Sequence, residues 1–353
     1  MIEYELPEVS GNTINGLGER QVRRPRHVYH SHPDDLEWND LFSRRSGRDT
    51  TQIERCLMRC YWQFQYRNGP VAAERSPITD PARLTAQVKA KARELGAELV
   101  GVTSTRPEWV FQDHTAPGRF FISLGVRMEM TELEKAPELA AQEEVLRVYA
   151  VVARIAGDLA RHIRALGYPA IAHPGPSSGD ILQIPAAIEA GLAQLGKHGS
   201  LISDELGAAF RLAGVTTDLP LVVDAPRDIG VDDFCRSCQL CTEKCPPQAI
   251  FPEKQWVRGV LKWYVDFDTC APYFTETDGC AICLSVCPWS KPGVAPKLSA
   301  KMLKQHVGKQ GTDARPAARP LRVSRPRSFT ETPVASGGTV AGDGPRSGIE
   351  TDG

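Results

Sequence analysis

Eight of the ten cysteines in this 353-residue chain fall between Cys235 and Cys287, in two groups. The first reads Cys235-x2-Cys238-x2-Cys241-x3-Cys245-Pro246, and the second Cys270-x9-Cys280-x2-Cys283-x3-Cys287-Pro288. Intervals of two, two and three closed by Cys-Pro are those of a segment holding two [4Fe–4S] clusters. Three close thiolates grip one cubane and the fourth crosses to the other. The expected ligand sets are therefore Cys235, Cys238, Cys241 and Cys287 on one cluster, with Cys245, Cys270, Cys280 and Cys283 on its neighbour. A zinc site, usually built from two separated CxxC pairs, leaves the third cysteine and the Cys-Pro ending unexplained. Disulfide frameworks belong to small secreted chains. The remaining pair, Cys56 and Cys60, lies one helical turn apart and is expected to pack as core thiols.

Charge is nearly balanced at −1 with 24% charged residues, so nothing global indicates a nucleic-acid partner or an anionic membrane surface. At 41% hydrophobic, the chain has material for one large core and a smaller satellite. No segment has the length and hydropathy of a membrane span. The N-terminal stretch lacks a basic start followed by an apolar run, and Ser43-Arg44-Arg45 is followed by polar residues. A cytoplasmic location is expected, where thiolates stay reduced.

Along the chain, residues 1–78 read as a polar wrapping extension with one helix near Asp49–Tyr66. An α/β (α+β) reductase core follows at 79–230, a two-cluster ferredoxin-like domain at 231–306, and a disordered tail at 307–353. Asp80-Pro81 starts a helix that Gly96 ends. Strands are expected at Leu99–Thr103, Phe120–Val126, Pro169–Ala172, Ser200–Ser203 and Ala208–Thr216. A long helix over Pro137–Leu166 aligns Val145, Tyr149, Val152, Ala156, Leu159 and Ile163 on one face. A second helix is expected over Ile184–Leu195. The small-residue loop His173–Gly179 permits close approach to a ligand.

A plain two-cluster carrier needs only about sixty residues, so the folded part upstream implies chemistry beyond electron carriage. No Gly-x-Gly-x-x-Gly after a strand and no P-loop occurs, which leaves neither dinucleotide nor nucleotide binding signalled.

The stretch Ala190–Gly207, followed by Phe210–Leu221, Gly230–Cys235, Lys262–Cys270 and Cys287-Pro288-Trp289-Ser290, resembles the cobalamin-binding core of reductive dehalogenases, a segment shared with epoxyqueuosine reductases. The resemblance covers about residues 80 to 300. It implies a nitroreductase-like core holding base-off cobalamin, an organohalide substrate and a low-potential donor such as ferredoxin or flavodoxin. No Asp-x-His-x-x-Gly sequence offers cobalt a lower histidine. The family pattern puts the proton donor on Tyr149 and a cation beside it on Arg211, with Lys197, His198, Ser200 and Ile202 along the corrinoid. Trp256, Trp263 and Trp289 fit either the cofactor wall or packing around the clusters.

Two alternatives stand beside this reading. The epoxyqueuosine reductase pattern carries Asp-Tyr-His with the aspartate as acid, where this chain has Val148-Tyr149-Ala150. An electron-transfer or corrinoid-handling protein without its own substrate chemistry is the other.

Overall fold

A computed structural model describes residues 9–28, 49–115, 118–176 and 180–309, all within one compact unit spanning 1–316. The arginine-rich tail lies outside the described residues, save that residues 307–309 continue a helix and are not unstructured.

The described elements run α1 Gly11–Asn15, α2 Thr51–Gln65, α3 Pro81–Glu94, β1 Leu99–Ser104, β2 Phe120–Arg127, α4 Met130–Leu133, α5 Leu139–Ala165 and β3 Ala170–His173. After these come α6 Gln183–Glu189, β4 Gln194–Leu195, β5 Leu201–Ile202, β6 Phe210–Thr217, α7 Val231–Ser237 and α8 Leu240–Lys244. The chain continues with β7 Gln255–Val257, β8 Val260–Lys262, α9 Phe267–Glu276, α10 Ile282–Ser285 and α11 Ala295–Lys309. Asp80 caps α3 through its carboxylate, accepting from the amides of Ala82 and Arg83 at 3.0 Å each, with Pro81 in the first turn. Helix α6 is shorter than expected: Gly191 turns left-handed at φ +72°, and Gln194–Leu195 goes instead into a two-stranded hairpin with β5.

Four strands form an antiparallel sheet in the order β1-β2-β6-β3. Helices α3 and α5 close one face, burying Val88, Ala92, Val152, Ile155, Ala156, Leu159 and Ile163 against Val102, Ile122, Leu124, Ala213 and Val215. At roughly 1.5–3 kcal/mol per large apolar side chain removed from water, this is the main stabilising layer. A second apolar cluster joins the N-terminal half of α5 (Val145, Val148) to Ile202, Cys235, Trp263, Leu284, Cys287 and Trp289. The cysteine segment is thus welded to the helix that carries Tyr149. Gly207, at φ +62°, packs so closely that a Cβ there would stand 1.8 Å from the Trp289 carbonyl oxygen.

The N-terminal segment holds onto the cysteine segment. Gly11 and Asn12 donate to the Asp268 carboxylate at 2.7 and 3.1 Å, and the Asn12 side chain donates to Asp266 at 2.8 Å. Cys60 is buried in α2, its thiol donating to the Leu146 carbonyl at 3.5 Å and pushed up to about 11 by burial. Cys56 is only half-buried, since it sits toward the edge of that face.

Candidate active site

Residues pointing to one side of a strand alternate, so Arg211 in β6 faces the same way as Ala213 and Val215, toward α5. There it meets Tyr149. The guanidinium carbon lies 5.4 Å from the ring centroid, with Nη1 donating to the Phe210 carbonyl at 3.2 Å. Its Nε is buried without a hydrogen-bond partner among the described residues. The ring of Tyr149 also rests against Gly175, where a Cβ would come within 2.4 Å of Cε1. Gly175 follows β3, whose last residue His173 is fully buried, bonds Thr216 through Nε2 at 2.8 Å and stands 3.7 Å from the Asp180 carboxylate. Arg67 pairs with Asp180. Burial, opposed by Asp180 and reinforced by Arg67, lowers the His173 imidazole to about 4.

The turn Gly196–Gly199 between β4 and β5 sends successive side chains in two directions. His198 is buried, accepts from the Ser200 amide at Nδ1 (3.2 Å), and is lowered to about 4 by burial and by nearby Arg211. An accepting Nδ1 leaves the proton on Nε2, and that N–H has no partner among the described residues. Lys197 goes the other way. Its ammonium donates to the Cys238 carbonyl at 2.9 Å and to Gln239 Oε1 at 3.0 Å, and stands 5.0 Å from the Trp263 ring centroid. The Lys197 ammonium thus faces the cysteine segment and Trp263, where the resemblance placed this residue along the corrinoid. Ser200 is half-buried, and Ile202 is fully buried in the apolar cluster, 2.7 Å from where a Cβ on Gly196 would stand.

The eight cysteines are unpaired thiols in two neighbourhoods. Cys287 lies beside Cys235, Cys241 and Cys238, while Cys283 lies beside Cys270, Cys280 and Cys245, with Cys241 also within range. Burial pushes the Cys235, Cys270 and Cys287 thiols up to about 12, and raises those of Cys241, Cys280 and Cys283. Backbone amides point at the sulfurs: Lys197 at Cys235, Thr242 at Cys241, Ile282 at Cys280, Trp289 at Cys287, and Ala249 at Cys245 at 3.3 Å. Among the described residues no three His, Cys, Asp or Glu side chains are arranged to hold a single metal ion.

Residues 234–291 match the 4Fe-4S dicluster domain family. Tetrachloroethene reductive dehalogenase of Sulfurospirillum multivorans is 31% identical over 276 residues, covering 64% of this chain and 54% of that protein. A solved catabolic reductive dehalogenase superposes with a TM-score of 0.72 at 22% identity, over 82% of this chain and 45% of that one, which establishes the shared fold. The chain is similar in sequence to reductive dehalogenases and shares their fold. An epoxyqueuosine reductase of Cellulophaga algicola is a more distant relative, 32% identical over 131 residues, or 32% of this chain and 39% of that protein. The chain spans about half the length of the dehalogenase it matches.

In this dehalogenase relative no helix among the described residues is long and apolar enough to cross a membrane. Two surface clefts, of about 440 and 330 Å³, lie away from the Tyr149–Arg211 pair; the second is lined by Gln194, Asp232, Lys254 and Trp263. Sequence reasoning singled out the loop that starts at His173 but missed the contact of Gly175 with the Tyr149 ring. The His-Pro-Gly-Pro run after a short strand was the available signal. No signal within the sequence reveals that Lys197 reaches a carbonyl 41 residues away.

Proposed function

We propose that the chain carries out reductive dehalogenation of an organohalide, R–X + 2e⁻ + H⁺ giving R–H + X⁻, with Tyr149 as proton donor. The observation that carries this reading is the Arg211 guanidinium stacked on the Tyr149 ring within a family whose named relatives remove chlorine from tetrachloroethene. A phenol with an ordinary pKa near 10 is a poor acid unless its anion is stabilised, and a neighbouring cation stabilises it. Arg211 has that role, and Gly175 holds the ring in place by leaving it room.

The donor set fits the cofactor that the family implies. His198 Nε2–H and Arg211 Nε–H are buried donors without partners among the described residues, on the Tyr149 side of the turn, suited to amide and phosphate oxygens of a corrinoid. Cobalamin, when bound, supplies a reducing metal centre for carbon–halogen cleavage. His198 and Arg211 would hold it, together with the backbone around Ser200; Ile202 contributes apolar packing.

The cysteines would hold two [4Fe–4S] clusters, Cys235, Cys238, Cys241 and Cys287 on one and Cys245, Cys270, Cys280 and Cys283 on the other. Cys235 and Cys287 are buried members of the apolar cluster that holds Val145 and Val148 of α5, with Tyr149 and Cys283 packed against it. All four residues of the second set are partly exposed. That set is the entry point for a low-potential donor of the ferredoxin or flavodoxin class. Ten unpaired cysteines suit a reducing, cytoplasmic compartment.

Epoxyqueuosine reduction is the second reading, supported by the more distant relative and opposed by Val148 and Ala150 beside Tyr149, where that family's pattern places its acid and histidine. The test is anaerobic protein reconstituted with iron, sulfide and cobalamin, supplied with a strong reductant and challenged separately with organohalides and epoxyqueuosine-containing tRNA. Multiple-turnover halide release supports dehalogenation. Conversion of tRNA alone supports the second reading, and conversion of neither indicates electron transfer without substrate chemistry.

A further inference from the structure

We infer that Lys197 is a fixed positive charge that raises the reduction potential of the cluster held by Cys235, Cys238, Cys241 and Cys287, relative to that cluster without the charge. The inference rests on the two-cluster reading above. Lys197 is 1% exposed, yet its ammonium is satisfied as a cation: two N–H groups go to the Cys238 carbonyl and Gln239 Oε1, and the remaining direction faces the Trp263 ring. Three of that set's thiols, Cys241, Cys235 and Cys238, lie close enough to interact with it electrostatically. The Lys197 backbone amide donates to the Cys235 sulfur as well.

The physical consequence is a one-sided bias. Adding one electron to a thiolate-bound cluster makes it one charge more negative with no bond made or broken. A buried ammonium stabilises that added charge far more than it would in water. Trp263 keeps the ammonium in place from the other side, its own Nε1 donating to Asp232 at 3.1 Å, while Lys254 covers its outer face at 5.5 Å from the centroid. The charge makes the cluster of the first set the preferred resting place for an electron. Lys197 is thus a positioning residue for electrons, acting through the cluster rather than on substrate.

The test is a mediated redox titration of the anaerobically reconstituted full chain, followed by electron paramagnetic resonance. Lys197→Gln removes the charge and keeps the backbone amide; Lys197→Arg keeps both; Gln239→Glu leaves Lys197 in place and adds an opposing charge 3.0 Å from its ammonium. In Lys197→Gln and in Gln239→Glu, one of the two cluster signals should become harder to reduce. At a fixed potential its reduced-to-oxidised ratio should fall about tenfold, equivalent to about 59 mV for one electron. The other signal, and Lys197→Arg, should stay near wild type. If Lys197→Gln fails to assemble its cluster, the Gln239→Glu shift decides alone. Unshifted potentials in a protein that holds both clusters would overturn the inference; absence of two cluster signals in the wild type would instead overturn the two-cluster reading.

Discussion

Arg211 covers the face of Tyr149, its guanidinium carbon 5.4 Å from the ring centroid, and its Nε–H is buried without a partner among the described residues. Replacing Arg211 by Met keeps bulk over the ring but removes the cation. A cation–π contact of about 1–2 kcal/mol corresponds to roughly tenfold in an equilibrium, so turnover should drop about tenfold or more while iron content holds. Lys at the same position should recover part of the loss, having charge but no planar group to stack. Steady-state halide release against cluster absorbance separates the two effects.

Gly175→Ala should displace the tyrosine without touching it chemically. The new methyl would stand 2.4 and 2.5 Å from Cε1 and Cδ1 of Tyr149 and 3.3 Å from the Leu212 carbonyl oxygen. Activity should fall at least tenfold with little change in cluster content. Gly157→Ala, in the middle of α5 with nothing within 4 Å of the added methyl, is the control. It should leave activity intact and stabilise the fold by roughly 0.5–1 kcal/mol, measured by thermal unfolding.

The crossing of ligands is testable by two serine substitutions four residues apart. Cys287→Ser should alter the spectroscopic signal of the cluster shared with Cys235, Cys238 and Cys241, whereas Cys283→Ser should alter the other one. Wild-type protein should hold about eight iron atoms per chain. Identical signals from both variants would show that the sets do not cross.

Acid should loosen the sheet end that carries the site. His173 is lowered to about 4 by burial, with Asp180 and Arg67 acting on it in opposite senses and Thr216 and the Phe121 ring packed around it. In the unfolded chain it titrates near 6.5. Its neutral form therefore contributes stability that is fully present above pH 6.5 and is lost as pH falls toward 4, by no more than about 3 kcal/mol. His173→Gln keeps a donor toward Thr216 and should flatten that dependence, as read by denaturant unfolding at pH 7, 6, 5 and 4.5.

Local patterns foretold the parts of this molecule that local physics controls. The α5 stripe from Val145 to Ile163, the Asp80 cap and the strands before and after α5 are set by periodicity and capping, and the structure has them within one or two residues. Gln194–Leu195 departs because a left-handed Gly191 and pairing with β5 outweigh its helical pattern. The tyrosine–arginine contact was accessible only through resemblance, since Tyr149 and Arg211 stand 62 positions apart in the sequence. The aim of Lys197 was not accessible at all: a Gly-Lys-His-Gly turn reads equally well with either side chain facing a ligand, and tertiary packing alone sends Lys197 to Cys238 and His198 toward Arg211.

Tyr149→Phe tests the central claim most directly, because it removes one oxygen and leaves the ring beneath Arg211. Anaerobic protein reconstituted with clusters and cobalamin should release halide from an organohalide over many turnovers. The Phe variant, with unchanged cluster and corrinoid content, should be slower by about 10²–10⁴-fold, the usual contribution of a positioned acid. Wild-type rates in the Phe variant would contradict the assignment of Tyr149 as the proton donor.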